Sequence, residues 1–166
     1  MLSAKQKKIL LFSLLTFIFA VISLLLRDLL ISNCNNTDFK LFTIDYIKNY
    51  GAAFSLFHTH TSFLIVVSSA ILLLALFYIY KFICEFSRSD LFFSALLCAG
   101  IICNLSERII DGFVTDYIRL NFVVFPIFNI SDMFISIGAF VLICNILFSN
   151  EPQQNWNIYN WTRRCK

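Results

Sequence analysis

Phe128-Asn129-Ile130-Ser131-Asp132 opens an apolar run that continues to Phe148 and carries a carboxylate at its mouth. The run is long enough to cross the hydrocarbon of a bilayer as a helix. A second acid stands shortly before it, in Gly112-Phe113-Val114-Thr115-Asp116-Tyr117. Carboxylates near hydrocarbon are costly, so an acid at membrane depth marks a functional site by default. Two that converge suggest a pair sharing one proton and able to activate water.

The rest of the chain agrees with a membrane setting. Of its 166 residues 59% are hydrophobic, 17% aromatic and only 14% charged. Soluble domains carry about 25% charged residues. The length suits one compact bundle, residues 1–166, as a single integral-membrane domain. The net charge of +3 is modest and no basic stripe is interleaved with aromatics, so nucleic acid is not an expected partner. The six cysteines form no CxxC pair and lie mostly in apolar runs, where they read as small apolar filler. His58 and His60 have no cysteine or carboxylate cluster beside them, so a metal is not expected.

Four segments have membrane-crossing character, at about 9–26, 63–80, 91–105 and 130–148. The first follows Lys5, Lys7 and Lys8. It is long for a signal-peptide core, lacks a small-residue cleavage site and leads into Arg27-Asp28, so it reads as a retained anchor. Lysines and arginines set the orientation. Lys5, Lys7, Lys8, Lys81, Arg88, Arg163, Arg164 and Lys166 are eight of the thirteen positive residues, and four spans put them on one side. Both termini are therefore expected in the cytoplasm, with loops at about 32–61 and 108–129 outside. Trp156 and Trp161 suit an interfacial belt.

The outer loops are too apolar to be free linkers. Thr43-Ile44-Asp45-Tyr46-Ile47-Lys48 reads as a strand stopping at Asn49-Tyr50-Gly51. In Asp116-Tyr117-Ile118-Arg119-Leu120-Asn121-Phe122, a period of two puts Asp116 on one face with Ile118, Leu120 and Phe122. Asp116 should then point at an apolar surface, which raises its pKa. A small extracytoplasmic sheet resting on the bundle is the expected result.

Helical spacing sorts the remaining polar residues. Asn129, Asp132 and Ser136 share one face of the fourth span; Gly100, Asn104 and Arg108 share one face of the third. Such stripes turn inward in a bilayer, and Gly100 permits close helix approach. Convergence of both stripes with Asp116 permits acid–base hydrolysis. The ionised carboxyl takes a proton from water while the protonated one polarises a carbonyl, and the pair titrates as a unit. Asn49, Asn104, Asn129 and Arg108 are candidates to position a peptide or bind oxyanion charge. A structural alternative stands beside this. Asp132 also has the position of a helix N-cap, and Arg108 has Asp111 and Asp116 as candidate ion-pair partners.

Three stretches in order tip the balance: Asn49-Tyr50-Gly51-Ala52-Ala53-Phe54-Ser55; Asn104-Leu105-Ser106-Glu107-Arg108 followed by Gly112 to Asp116; and Phe128 to Asp132. In a four-span chain of this size they resemble the signal peptidase II family over nearly the whole length. The resemblance implies four transmembrane helices with an extracytoplasmic β-cradle in the bacterial cytoplasmic membrane. It implies an aspartic endopeptidase that cuts diacylglyceryl-modified prolipoproteins just before the lipid-bearing cysteine, working in membrane lipid as a monomer without cofactor. Asp116 and Asp132 match the family's catalytic pair, and Asn49, Gly51, Asn104, Arg108 and Asn129 match residues lining its site. The chain departs from the family pattern at Ser23 and Arg27, where Asp and Lys are usual. It departs again at Glu107 for Asp, Cys103 for Gly and Ser131 for Ala.

Two other classes compete. A quinone-linked disulfide oxidoreductase matches in size and topology but needs paired outer cysteines, and only Cys34 falls in an outer loop. A membrane scaffold without activity would tolerate replacement of both aspartates.

Overall fold

A computed structural model of the chain describes residues 2–34, 36–51 and 60–148. The tail residues Trp156, Trp161, Arg163, Arg164 and Lys166, His58, and the Ala52-Ala53-Phe54-Ser55 part of the first motif, lie outside the described residues. Four long helices, α1 (Ala4–Cys34), α2 (Thr61–Phe82), α3 (Arg88–Ile110) and α4 (Ile130–Phe148), are each long and apolar enough to cross a membrane. Three strands, β1 (Thr37–Asp38), β2 (Phe42–Asn49) and β3 (Val114–Leu120), form one antiparallel sheet in the order β1-β2-β3.

α1, α2 and α3 run past the apolar segments that announce them, while α4 keeps the expected bounds of 130–148. α1 continues through Arg27 to Cys34 because Arg27 is neutralised by Asp28 and Glu107, both at 2.9 Å, so its charge does not end the helix. α3 begins in a capping box, with the Ser87 side chain accepting from Asp90 N–H and the Asp90 carboxylate accepting from Ser87 N–H. It then carries Asn104, Glu107 and Arg108 inside its last turns.

α3 is the central helix. Its buried face runs Leu91, Ser94, Ala95, Cys98, Ala99, Gly100, Cys103 and Asn104, mostly small side chains. A Cβ on Gly100 would lie 2.4 Å from the Ser131 carbonyl oxygen, so α4 touches α3 backbone to backbone at that point. Gly138 repeats the device, with the Phe93 carbonyl 2.8 Å from where a Cβ would stand. Close approach through small residues is how helices associate where lipid removes the hydrophobic drive. At the other end Phe12, Ile79, Ile83, Leu91, Ala95 and Cys98 form an apolar cluster joining α1, α2 and α3.

The sheet caps the opposite end of the bundle. β2 pairs with β3 from Phe42↔Leu120 to Asn49↔Val114, with an irregularity between Ile44 and Ile47. Gly112, at φ +81°, makes the turn from α3 into β3 that a side chain would resist. Ile44, Val114 and Tyr117 are fully buried beneath the sheet. The period-two reading of β3 fails at its last member. The strand stops at Leu120, Asn121 N–H bonds to the Leu41 carbonyl at 3.0 Å, and Phe122 is 70% exposed in the bend beyond.

Candidate active site

β3 and α4 are joined through one bridge. The amides of Tyr117 and Ile118 both donate to the Phe128 carbonyl, at 3.1 and 2.8 Å, and Phe128 N–H returns to Ile118 at 3.1 Å. The buried Tyr117 hydroxyl also accepts from Ile130 N–H at 3.3 Å. The start of α4 is therefore held against β3, and this brings the two aspartates to one place.

Asn129 is the hinge of the arrangement. It stands at the N-cap of α4, its side-chain oxygen accepting from Asp132 N–H at 2.8 Å. Asp132 Oδ2 accepts from Asn129 N–H at 3.1 Å, which completes a capping box of Asn and Asp. The cap of α4 is thus Asn129, and Asp132 is its partner in the first turn, where a carboxylate suits the helix dipole. The same Asn129 amide donates to Asp116 Oδ1 at 2.9 Å and to Asn104 Oδ1 at 3.2 Å. Asn104 in turn donates to Asp132 Oδ1 at 2.7 Å. Asn49 lies diagonally across the β2–β3 ladder from Asp116 and donates to its Oδ2 at 2.8 Å. Both carboxylates are thereby held by asparagine amides, neutral donors that leave the protonation state free to change.

Gly51 and Arg108 close the other side. Gly51 N–H donates to Asn49 Oδ1 at 2.9 Å, and its carbonyl accepts from Arg108 NH2 at 3.0 Å. Arg108 NH1 reaches the Asn104 carbonyl at 3.3 Å. Among the described residues Arg108 makes no ion pair with Asp111 or Asp116, the partners its spacing suggested; it spends its donors on main-chain carbonyls instead. Its buried Nε has no partner there.

Asp116 is only 4% exposed. Burial, and after it the charge of Asp132, pushes its carboxyl up to about 7 against the pull of Asn49, Asn129 and Arg108. The raised value agrees with the expectation, but the carboxyl oxygens meet the Asn49 and Asn129 amides and not an apolar surface. Both aspartates border a cavity of about 910 Å³ with Asn49, Arg108, Phe125 and Met133 in its wall. Exposed apolar residues of α4, Met133 and Ile137, flank its mouth. Such a hollow has two acids and apolar α4 side chains in its lining.

All seven candidate residues therefore meet: Asp116, Asp132, Asn49, Gly51, Asn104, Arg108 and Asn129. The comparisons with known proteins agree with the motifs that brought them to notice. The sequence model of the family described as signal peptidase (SPase) II matches residues 15–148. The chain belongs to the signal peptidase II family. It is 34% identical over 115 residues to the lipoprotein signal peptidase of Lactococcus lactis subsp. lactis strain IL1403, covering 69% of this chain and 75% of that one. It is 38% identical over 112 residues to the lipoprotein signal peptidase of Wigglesworthia glossinidia brevipalpis, covering 64% of this chain and 72% of that one. A solved bacterial membrane enzyme shares the fold with a TM-score of 0.72 at 21% identity, over 89% of this chain and 93% of the other. The expected membrane peptidase of four helices and a small sheet is thus what the chain is.

Sequence reasoning missed Tyr117, Thr115 and the partners of Glu107. Thr115 N–H donates to Glu107 Oε2 at 2.7 Å, while Glu107 Oε1 takes Arg27 at 2.9 Å. Glu107 was visible only as a variant of a family motif, and Tyr117 only as the residue after Asp116, on the other face of its strand.

Proposed function

We propose that this chain removes the signal peptide from diacylglyceryl-modified prolipoproteins, cutting just before the lipid-bearing cysteine, with Asp116 and Asp132 activating water. One observation carries the reading: Asn129 bonds to both acids at once, its side chain to Asp116 and its amide N–H to Asp132, at 2.9 and 3.1 Å. Two carboxyls tied to one residue over a shared cavity cannot ionise independently.

In the working state the pair holds one proton. The ionised carboxyl takes a proton from water as it attacks the scissile carbonyl. The other carboxyl gives its proton to that carbonyl oxygen; as the C–N bond breaks, the first carboxyl passes the proton it took from water to the amide nitrogen, and the second recovers a proton from the collapsing gem-diol. Arg108, with a buried donor unspent among the described residues, and Asn49 serve to orient the peptide or hold the developing charge. Gly51 holds Arg108 in place through its carbonyl. The apolar rim suits a substrate arriving sideways from lipid, its acyl chains remaining in the bilayer.

The basic residues Lys5, Lys7, Lys8, Lys81 and Arg88 gather at the start of α1 and around the α2–α3 turn, opposite the sheet. This distribution supports cytoplasmic termini and an extracytoplasmic site in the bacterial inner membrane. One chain supplies every candidate site residue, which supports action as a monomer.

Cleavage of a diacylglyceryl-modified prolipoprotein by the lipid-reconstituted protein tests the assignment. Native protein should cleave before the modified cysteine, and Asp116→Asn and Asp132→Asn should each abolish it. Activity needs one proton on the pair, so cleavage should decline as pH rises past the raised Asp116 value of about 7, when both carboxyls ionise. Native-rate cleavage by either variant in well-folded protein would sink the dyad.

A further inference from the structure

The two aspartates sit on different kinds of element, Asp116 on a strand and Asp132 on a helix. The asparagines orient their carboxyls, but the spacing of the two backbones needs its own anchor. We infer that Ser23 and Arg27 of α1 are positioning residues that set this spacing by gripping the residue before each aspartate.

Ser23 and Arg27 are one turn apart and share a face of α1. Ser23 is 3% exposed, and its hydroxyl meets that of Ser131 at 2.8 Å, across 108 residues of sequence. Ser131 immediately precedes Asp132, and its carbonyl lies against Gly100 on the opposite side. The first turn of α4 is thus gripped from α1 and α3 together. Arg27 acts one step removed. Its NH1 holds Glu107 Oε1 at 2.9 Å, and Glu107 Oε2 accepts the N–H of Thr115, the residue before Asp116, at 2.7 Å. Glu107 is buried and has both oxygens committed, so it is poised as a strut between helix and strand. A single face of α1 is therefore linked to both elements of the pair, to α4 through the Ser131 hydroxyl and to β3 through Glu107.

None of Ser23, Arg27, Glu107, Thr115 or Ser131 borders the cavity, so none is placed to touch a peptide bound there. Their effect must pass through Asp116 and Asp132, and the inference rests on the dyad reading above.

The test uses full-length protein in lipid vesicles and the same prolipoprotein, with kcat, KM and the pH profile measured for each variant. Ser23→Ala and Glu107→Gln should each lower kcat about tenfold with KM within about twofold of native, because the reacting groups and not the binding surface are displaced. The bell-shaped pH profile should narrow, since acids held further apart titrate more nearly independently. Ser23→Thr keeps the hydroxyl and should restore both readings. Ser23→Ala with Ser131→Ala leaves no stranded hydroxyl, yet should stay as slow as Ser23→Ala alone. A double variant back at native kcat would mean that the pair merely satisfies itself, and would overturn the inference. So would a native bell width in Ser23→Ala and Glu107→Gln, whether or not their melting temperatures drop. If those two behave as native while Asp116→Asn and Asp132→Asn are inactive, the positioning role fails and the dyad stands. If Asp116→Asn or Asp132→Asn cleaves normally, both fail.

Discussion

α2 and α3 are successive helices of nearly equal length joined by a short turn, yet they solve opposite problems. In its most apolar stretch α3 is 56% buried and α2 only 11%. α2 is a nearly unbroken apolar cylinder whose Leu73, Leu74 and Phe77 face outward. α3 is less apolar, is lined by alanine, serine, cysteine and glycine, and carries Asn104, Glu107 and Arg108. In water the more apolar helix would be the core. In a bilayer lipid is as apolar as leucine, so the helix with small and polar residues goes inside, where only neighbouring helices can satisfy it. The polar stripe is thus both the reason α3 is central and the material of the site.

The sharpest way to break this contrast is to remove the closeness on which α3 depends. Gly100→Ala puts a Cβ where the Ser131 carbonyl stands 2.4 Å away and Ile135 Cγ1 2.8 Å away. The obstacle is backbone, so α4 must move as a body, at a cost of about 1–3 kcal/mol or more. Asp132 sits one residue beyond the point of contact and moves with it. Loss of measurable cleavage and a clear fall in melting temperature in detergent are expected. A variant retaining native cleavage would show that α3 and α4 need not touch for the acids to meet.

Asn104→Ala should have the next largest effect and separates polarity from closeness. It leaves the α3–α4 approach intact but strands Asp132 Oδ1 and one donor of Asn129. A buried polar group left unpaired costs about 1–3 kcal/mol, so cleavage should fall about tenfold to a hundredfold with little change in the sheet. Steady-state kinetics beside a melting curve decides it. A large stability loss with normal kcat would make Asn104 a packing residue instead of a member of the site.

What could be read from sequence follows the same division. Periodicity put Gly100, Asn104 and Arg108 on one face of α3 and Asn129, Asp132 and Ser136 on one face of α4, because the period of a helix is a local property. The strand ending at Asn49 was legible in the same way, from β-branched alternation and a turn. The partners of those faces were not. Ser23 meeting Ser131, and Glu107 spanning from Arg27 to Thr115, depend on how three helices are rotated against one another. Nor was the exchange of roles at the start of α4. Asn129-Ile130-Ser131-Asp132 has the spacing of a capping box, but with Asn and Asp in place of the commoner serine and glutamate. The extent of β3 was overrun by one turn residue and Phe122, since nothing in the alternation marks where Asn121 leaves the ladder.

The smallest effect belongs to α2, and it tests the contrast from the other side. Leu73→Ala and Phe77→Ala remove bulk from side chains that are 67% and 66% exposed among the described residues. If that face meets lipid, acyl chains fill the space and no cavity remains, unlike the same change in a close-packed interior. Both variants should cleave at the native rate and melt within about 2 °C of native, a shift smaller than 1 kcal/mol produces in a domain of this size. A drop of several degrees would mean that this face packs against protein in the membrane. α2 would then be an interface, and its sparse burial within one chain would reflect a partner instead of the solvent.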